Sequence, residues 1–184
     1  MKRIFFLDCG PQVNCVSTMN RQLGFTLVEL MITLVIAAIL LAIGVPSFQA
    51  MMRNNRAASQ ANEFTSALNL ARTEAAKRGR NMVLCPSADQ ATCSGGTDWA
   101  TGWLLFIDTN SNSVMDGVET VFRVWERLSG SPAFNGPATL GYRPTGEPVA
   151  GATQFSYVLD SHNQCIRINT VGRSHVEKEA TSCP

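Results

Sequence analysis

The chain has 184 residues and a mass of 19.9 kDa, with 15 Lys+Arg against 14 Asp+Glu and a formal net charge of +1. That length suits one globular domain, and the near-balance of charge excludes a bulk basic surface for nucleic acid and an acidic disordered tail. The mean hydropathy of +0.04 averages one apolar block with ordinary soluble sequence, so a many-pass membrane protein is excluded, and a purely soluble one is too if the block survives processing.

The apolar block is the first predicted element. Between positions 30 and 45 every residue is apolar, Gly or Ala except Thr33. With its edges the run covers 25–48, about 36 Å of helix at 1.5 Å per residue. A bilayer core is about 30 Å thick. A cleaved secretory signal would have a shorter apolar core and a small-x-small cleavage site. A simple anchor is the second reading. A third rests on Glu29, the one charge in the segment, because a carboxylate near the end of a spanning helix is costly enough to suggest a function.

Pro46 and Gly44 predict a weak point just past the apolar core. The helical pattern then resumes, with Ala61, Phe64, Leu68, Ala71 and Ala75 recurring every three or four residues. Lys77 and Arg78 followed by Gly79 form a stop signal. One helix over 25–78 is therefore predicted. Arg72, Lys77, Arg78 and Arg80 read as dipole complementation and salt bridges rather than a binding patch.

After Arg80 the pattern turns to strands over 81–85, 102–108, 120–127, 138–142, 154–159 and 165–169, with turn-rich stretches between them. The fold class is α+β: a long N-terminal helix packed on a mostly antiparallel β-sheet. Trp99, Trp103 and Trp125 read as core rather than as stacking platforms for single-stranded nucleic acid.

Three constellations carry chemistry. Asp108, Asn110, Asn112, Asp116 and Glu119 have the ligand spacing of an EF-hand calcium loop, with Ser113 where glycine is usual. The flanks read as strands, and a hairpin loop rich in Asp and Asn is the competing reading. No other cofactor is implied. The six cysteines include no C-x-x-C pair, which weakens a zinc or thioredoxin reading. His162 and His175 are the only histidines, and neither lies beside a nucleophile motif, so an enzyme is disfavoured.

Gly24-Phe25-Thr26-Leu27-Val28-Glu29 followed by an unbroken apolar helix resembles the processing site of type IV pilins and their secretion-system relatives. The segment from Trp103 through Asp108, the loop residues just named, Tyr142-Arg143-Pro144-Thr145-Gly146 and Val171-Gly172-Arg173 are similar to the FimT/GspH family of minor pilins. The resemblance implies a pilin fold. Residues 1–24 would be a leader, cut by a prepilin peptidase between Gly24 and Phe25 with methylation of the new amine. Residues 25–52 would be the transmembrane and polymerisation helix, and 53–184 a periplasmic head. Met19 would open a short basic leader by itself, which makes it the expected start in place of Met1. Arg21 ahead of the span keeps the N-terminus cytoplasmic.

By the same resemblance Glu29 would pair with the freed amine of a neighbouring subunit. A buried carboxylate loses far less when paired. The partners implied are other pilin subunits, the peptidase, the inner membrane and, in some members, DNA. The location implied is the inner membrane and then the filament.

Removing residues 1–24 leaves 160 residues, takes away three basic residues and one acid, and turns the net charge from +1 to −1. Cys85, Cys93, Cys165 and Cys183 remain, an even number in an exported domain. They allow three connectivities, of which the local one, Cys85–Cys93 with Cys165–Cys183, is preferred. DNA-binding members of the family use a Gly-Arg-x-Arg motif near the C-terminus. Here Gly172-Arg173-Ser174-His175 keeps the first Arg and replaces the second. Arg167, Arg173, His175 and Lys178 are the candidate DNA contacts, expected to converge if the Cys165–Cys183 loop folds them to one face. Glu177 and Glu179 oppose them. The competing role is a minor pseudopilin of type II secretion with a purely structural task.

Overall fold

The computed structural model describes residues 24–160, 162–178 and 183. The leader, including the choice between Met1 and Met19, and Glu179 lie outside them. Among the described residues one α-helix, α1, runs Leu27–Arg78. Its residues divide at Pro46, where the compact globular unit begins. In the first unit the helix is apolar on every side. From Phe25 to Met52 the large apolar side chains are 46–78% exposed, although this range also includes the first residues past Pro46. A helix that is hydrophobic all round has no solvent-facing side and belongs in lipid or among other apolar helices. Pro46 sits inside the helix; it can donate no backbone hydrogen bond, which leaves the Ala42 carbonyl unanswered within the helix.

In the globular unit the pattern becomes amphipathic. Ala57, Ala61, Phe64, Ala67, Leu68, Ala71 and Ala75 are all buried. The small residues let the helix lie close to the sheets, and Phe64 supplies the one large ring on its buried face. Eight strands follow: β1 Asn81–Pro86, β2 Trp103–Asp108, β3 Thr120–Trp125, β4 Ala133–Asn135, β5 Leu140–Tyr142, β6 Thr153–Leu159, β7 His162–Ile168 and β8 Ser174–Lys178. They form two antiparallel sheets, ordered β3-β2-β1-β5 and β4-β6-β7-β8. The sequence suggests a single sheet, and β4 and β8 are not among its predicted strands. Both are short, and β8 carries no apolar alternation beyond Val176, so neither gives a periodic signal.

The first sheet is covered on both faces. Leu84 pairs with Leu105 and Pro86 with Trp103, and this row faces the helix. The alternate row, Val83 against Phe106 and Cys85 against Leu104, forms a second small cluster under Cys93, Met115 and Val121. Double coverage explains why β1 and β2 read as nearly continuous apolar runs. In the second sheet Phe155, Tyr157, Ile166 and Ile168 turn inward, as period-2 alternation requires. The centre is aromatic: Phe64 meets Trp99, Trp103, Phe134 and Phe155 edge-on, with centroids 5.4, 5.2, 4.8 and 4.7 Å away. The three tryptophans are buried, as expected of core residues.

The buried polar groups are mostly answered. The Gln60 amide donates to the Ser129 carbonyl at 2.9 Å and accepts from the Tyr157 hydroxyl. Trp99 Nε1 donates to the Pro137 carbonyl at 2.9 Å. Burial pushes the Tyr157 and Tyr142 hydroxyls up to about 12.

Candidate functional site

The start of α1 is built by a local hydrogen-bond device. Thr26 precedes the first helical residue, and its Oγ1 accepts from the Glu29 N–H at 3.2 Å while its carbonyl accepts from Leu30 N–H at 3.1 Å. Thr-x-x-Glu is the sequence of a capping box, and this is its N-cap half. Glu29 also lies in the first turn, where the helix dipole favours an anion. The same residues that read as a processing signal therefore nucleate the helix. Gly24, Phe25 and Glu29 are all exposed, and among the described residues Glu29 forms no ion pair.

A second constellation escapes the sequence reading. Arg72 projects from the helix between two turns. Its Nε donates to the Gly146 carbonyl at 2.9 Å and one terminal nitrogen donates to the Val171 carbonyl at 2.9 Å. The turn of Tyr142-Arg143-Pro144-Thr145-Gly146 and the turn of Val171-Gly172-Arg173 are thereby held to each other and to α1. Gly172 is in the left-handed region at φ +79°, and a Cβ there would stand 2.0 Å from the Gly146 oxygen. Only glycine allows that approach. The available signal was the pair of Gly-containing turn motifs; what linked them to a helical Arg 74 residues upstream of Gly146 was invisible. Its neighbours behave as read: Lys77 and Arg78 both reach Glu74, at 3.3 and 2.8 Å. Chiefly the Arg78 hydrogen bond holds the Glu74 carboxyl below its ordinary value.

The candidate DNA residues do not form one surface. β7 and β8 pair Arg167 with His175 and Gln164 with Lys178. Paired residues share a face and neighbours alternate, so Arg167 and His175 lie on one face of the sheet and Lys178 on the other. Arg167 Nε stands 3.2 Å from Glu177 Oε2, an ion pair without hydrogen-bond alignment. Arg173 sits in the turn between the strands, where its N–H donates to Asn169 Oδ1 at 2.8 Å. The expected convergence of Arg167, Arg173 and Lys178 on one face is thus overturned by strand register; Arg173 and His175 remain exposed.

The acidic loop is closed by its own side chains. Asp108 is buried and accepts from the N–H groups of Asn112 and Ser113, at 3.2 and 3.0 Å. Asn110 donates to Asp116 at 2.7 Å, and Glu119 accepts from the Thr109 N–H at 2.8 Å. Ser111 and Ser113 take positive φ of 63° and 58°. Among the described residues no group of three or more His, Cys, Asp or Glu side chains is arranged to hold a metal.

Two disulfides are present among the described residues. Cys85–Cys93 and Cys165–Cys183 have Cα separations of 5.6 and 5.8 Å and close loops of 8 and 18 residues. Within the first loop the Thr92 hydroxyl, then the Ala91 and Thr92 N–H groups, hold the Asp89 carboxyl far below the usual range. Neither imidazole takes part in a described hydrogen bond with a Ser, Cys or carboxylate.

Known proteins fit this geometry. The family model for the type II transport protein GspH matches residues 60–172, and that for the prokaryotic N-terminal methylation motif matches residues 19–45. No curated protein sequence matches the chain. Among solved structures, one crystal form of the type IV minor pilin FimU of Pseudomonas aeruginosa superposes with TM-score 0.53 and 19% identity, covering 69% of this chain and 92% of that one. A second crystal form gives TM-score 0.48 and 19% identity, covering 65% and 90%. At that identity the likeness is one of fold.

Proposed function

The chain belongs to the GspH family, and on that premise we propose that it is a minor subunit of a type IV pilus, built into the filament or priming its assembly. The observation that carries the reading is the first half of α1. It is an unbroken apolar helix with every large side chain exposed, headed by Gly24-Phe25 and by a capped Glu29 that has no ion-pair partner among the described residues. Such a surface needs lipid before assembly and other apolar helices after it. In this reading a prepilin peptidase cuts after Gly24, and the head stands in the periplasm until extraction. Glu29 then meets the free amine of a neighbouring subunit. No catalytic reaction is assigned.

Glu29→Ala tests the pairing. Cleavage after Gly24, followed by the mass of the mature chain, should be largely unchanged, while the amount of this subunit in sheared filaments falls. Unchanged incorporation would remove the pairing role. The second reading, a minor pseudopilin of type II secretion, is separated by a deletion strain: loss of surface pili supports the first, and loss of an exported enzyme with pili intact supports the second. A contribution to DNA uptake would rest on Arg173 and His175, since Glu177 neutralises Arg167 and Lys178 faces away. Few phosphate contacts predict weak binding with a shallow salt dependence.

A further inference from the structure

A pocket of about 280 Å³ opens beside the helix where the globular unit begins. Its walls are Asn54 and Asn55 on α1, Asn163 and Gln164 on β7, and Lys178 at the end of β8, over a floor of Ala57 and Ala58. His162 completes the wall, so among the described residues the lining carries one ammonium, one imidazole, four carboxamides and no carboxylate. The nearby Asp160 is drawn off by Arg53, 3.6 Å away. Gln164 is only 7% exposed, and its Oε1 is buried with no hydrogen-bond partner among the described residues. A buried acceptor left unanswered beside a pocket needs an explanation.

The place along the chain supplies one. From Phe25 to Met52 the side chains are those of a membrane helix, and that length is about 42 Å at 1.5 Å per residue. A bilayer with its headgroup layers measures about 40–45 Å. Asn54 and Asn55 therefore follow at the level of the outer headgroups. We propose that this pocket binds the headgroup of an anionic phospholipid whose phosphate carries a polyol, of the phosphatidylglycerol type. Lys178 and the amide groups of Asn54, Asn55 and Asn163 donate to the phosphate oxygens, and the Gln164 amide turns so that its buried Oε1 accepts from a headgroup hydroxyl. An ethanolamine headgroup would bring a second ammonium against Lys178 and is disfavoured. Bound lipid would hold the head against the membrane until the subunit is extracted.

The proposal rests on the membrane-anchored reading, and its test keeps the two apart. The full chain is reconstituted in discs of phosphatidylcholine alone or mixed with phosphatidylglycerol. Failure to enter either disc would sink the anchored reading. For inserted protein, native mass spectrometry after release into detergent should show phosphatidylglycerol retained over phosphatidylcholine, and hydrogen exchange should slow at residues 162–164 only in the mixed discs. Lys178→Glu and Asn54→Ala, both at exposed positions, should each lower retention about tenfold, the loss of one charge-assisted contact. Arg173→Ala should leave it unchanged. Equal retention of the two lipids, or retention unaffected by Lys178→Glu, overturns the proposal. Slowed exchange produced by free glycerol phosphate in lipid-free detergent, with no slowing in mixed discs, would also overturn it and assign the pocket to a soluble phosphate.

Discussion

The two halves of α1 obey different rules. From Leu27 to Met52 the apolar side chains are exposed and the one charge, Glu29, has no partner among the described residues. From Ala57 to Ala75 the apolar side chains are buried against two sheets, and the one inward-reaching charge, Arg72, has two carbonyls. The second half is completed by its own chain. Among the described residues nothing covers the first. Both belong to one helix; what differs is whether the apolar stripe is one face wide or the whole circumference.

Substitutions in the two halves should therefore separate stability from assembly. The largest effect on head stability is expected at Phe64. Phe64→Ala removes the ring that meets four aromatic neighbours and should cost about 3–5 kcal/mol, read as a fall in the denaturant midpoint. Leu34→Ala, in the exposed half, should leave that midpoint unchanged and lower incorporation into filaments. An equal loss of stability from both would erase the distinction.

The Arg72 clamp comes next. Gly172→Ala forces a Cβ into the Gly146 oxygen, and Arg72→Ala leaves two carbonyls unanswered. Each should cost about 2–3 kcal/mol, the range for a strained backbone position or a lost charged hydrogen bond. The double variant should cost less than the sum, because both act on the same turn pair. Strict additivity would mean that the turns are held independently.

Opening the disulfides should follow closely. Chain-entropy arguments give about 3 kcal/mol for the Cys165–Cys183 loop and about 2.5 kcal/mol for Cys85–Cys93. Replacing either pair by serine should lower the thermal midpoint of the head in that order. A larger loss at Cys85–Cys93 would point instead to its role in covering the outer face of the first sheet.

The smallest effect is alkaline. Tyr142 and Tyr157 titrate at about 12 in the fold against an ordinary 10. The fold binds their protons more tightly than the unfolded chain does, so their contribution is fully present below pH 10. It is lost as pH rises toward 12. Tyr157→Phe removes one of these groups and the donor to Gln60. The slope of stability against pH between 10 and 12 should flatten in that variant, and an unchanged slope would assign the alkaline loss elsewhere.

Much of the architecture was legible in the residues. The apolar run, Pro46, the spacing of Ala61, Phe64, Leu68, Ala71 and Ala75, and the Lys77-Arg78-Gly79 stop all report local preferences, which act over one or two turns. The Thr26–Glu29 cap is equally local, although the predicted helix over 25–78 did not include it. Most strands were recognisable because one or both faces are buried. β4 and β8 were not, since three to five residues at a sheet edge carry little periodicity.

The candidate sites divide along the same line. Gly24, Phe25 and Glu29 form a contiguous motif and could be read directly. Whether Arg167 and Lys178 share a face depends on the pairing of β7 with β8, and a shift of one residue would reverse the answer. The reach of Arg72 to Gly146 and Val171, and the pocket of Asn54, Gln164 and Lys178, join residues far apart in the chain. By itself the sequence determined the membrane-compatible helix, its cap, its turn toward amphipathicity and the α+β class, because these follow from local chemistry. Strand register, the split into two sheets and the partners of each charged side chain were decided only by tertiary packing, because such contacts depend on which distant backbone segments lie side by side.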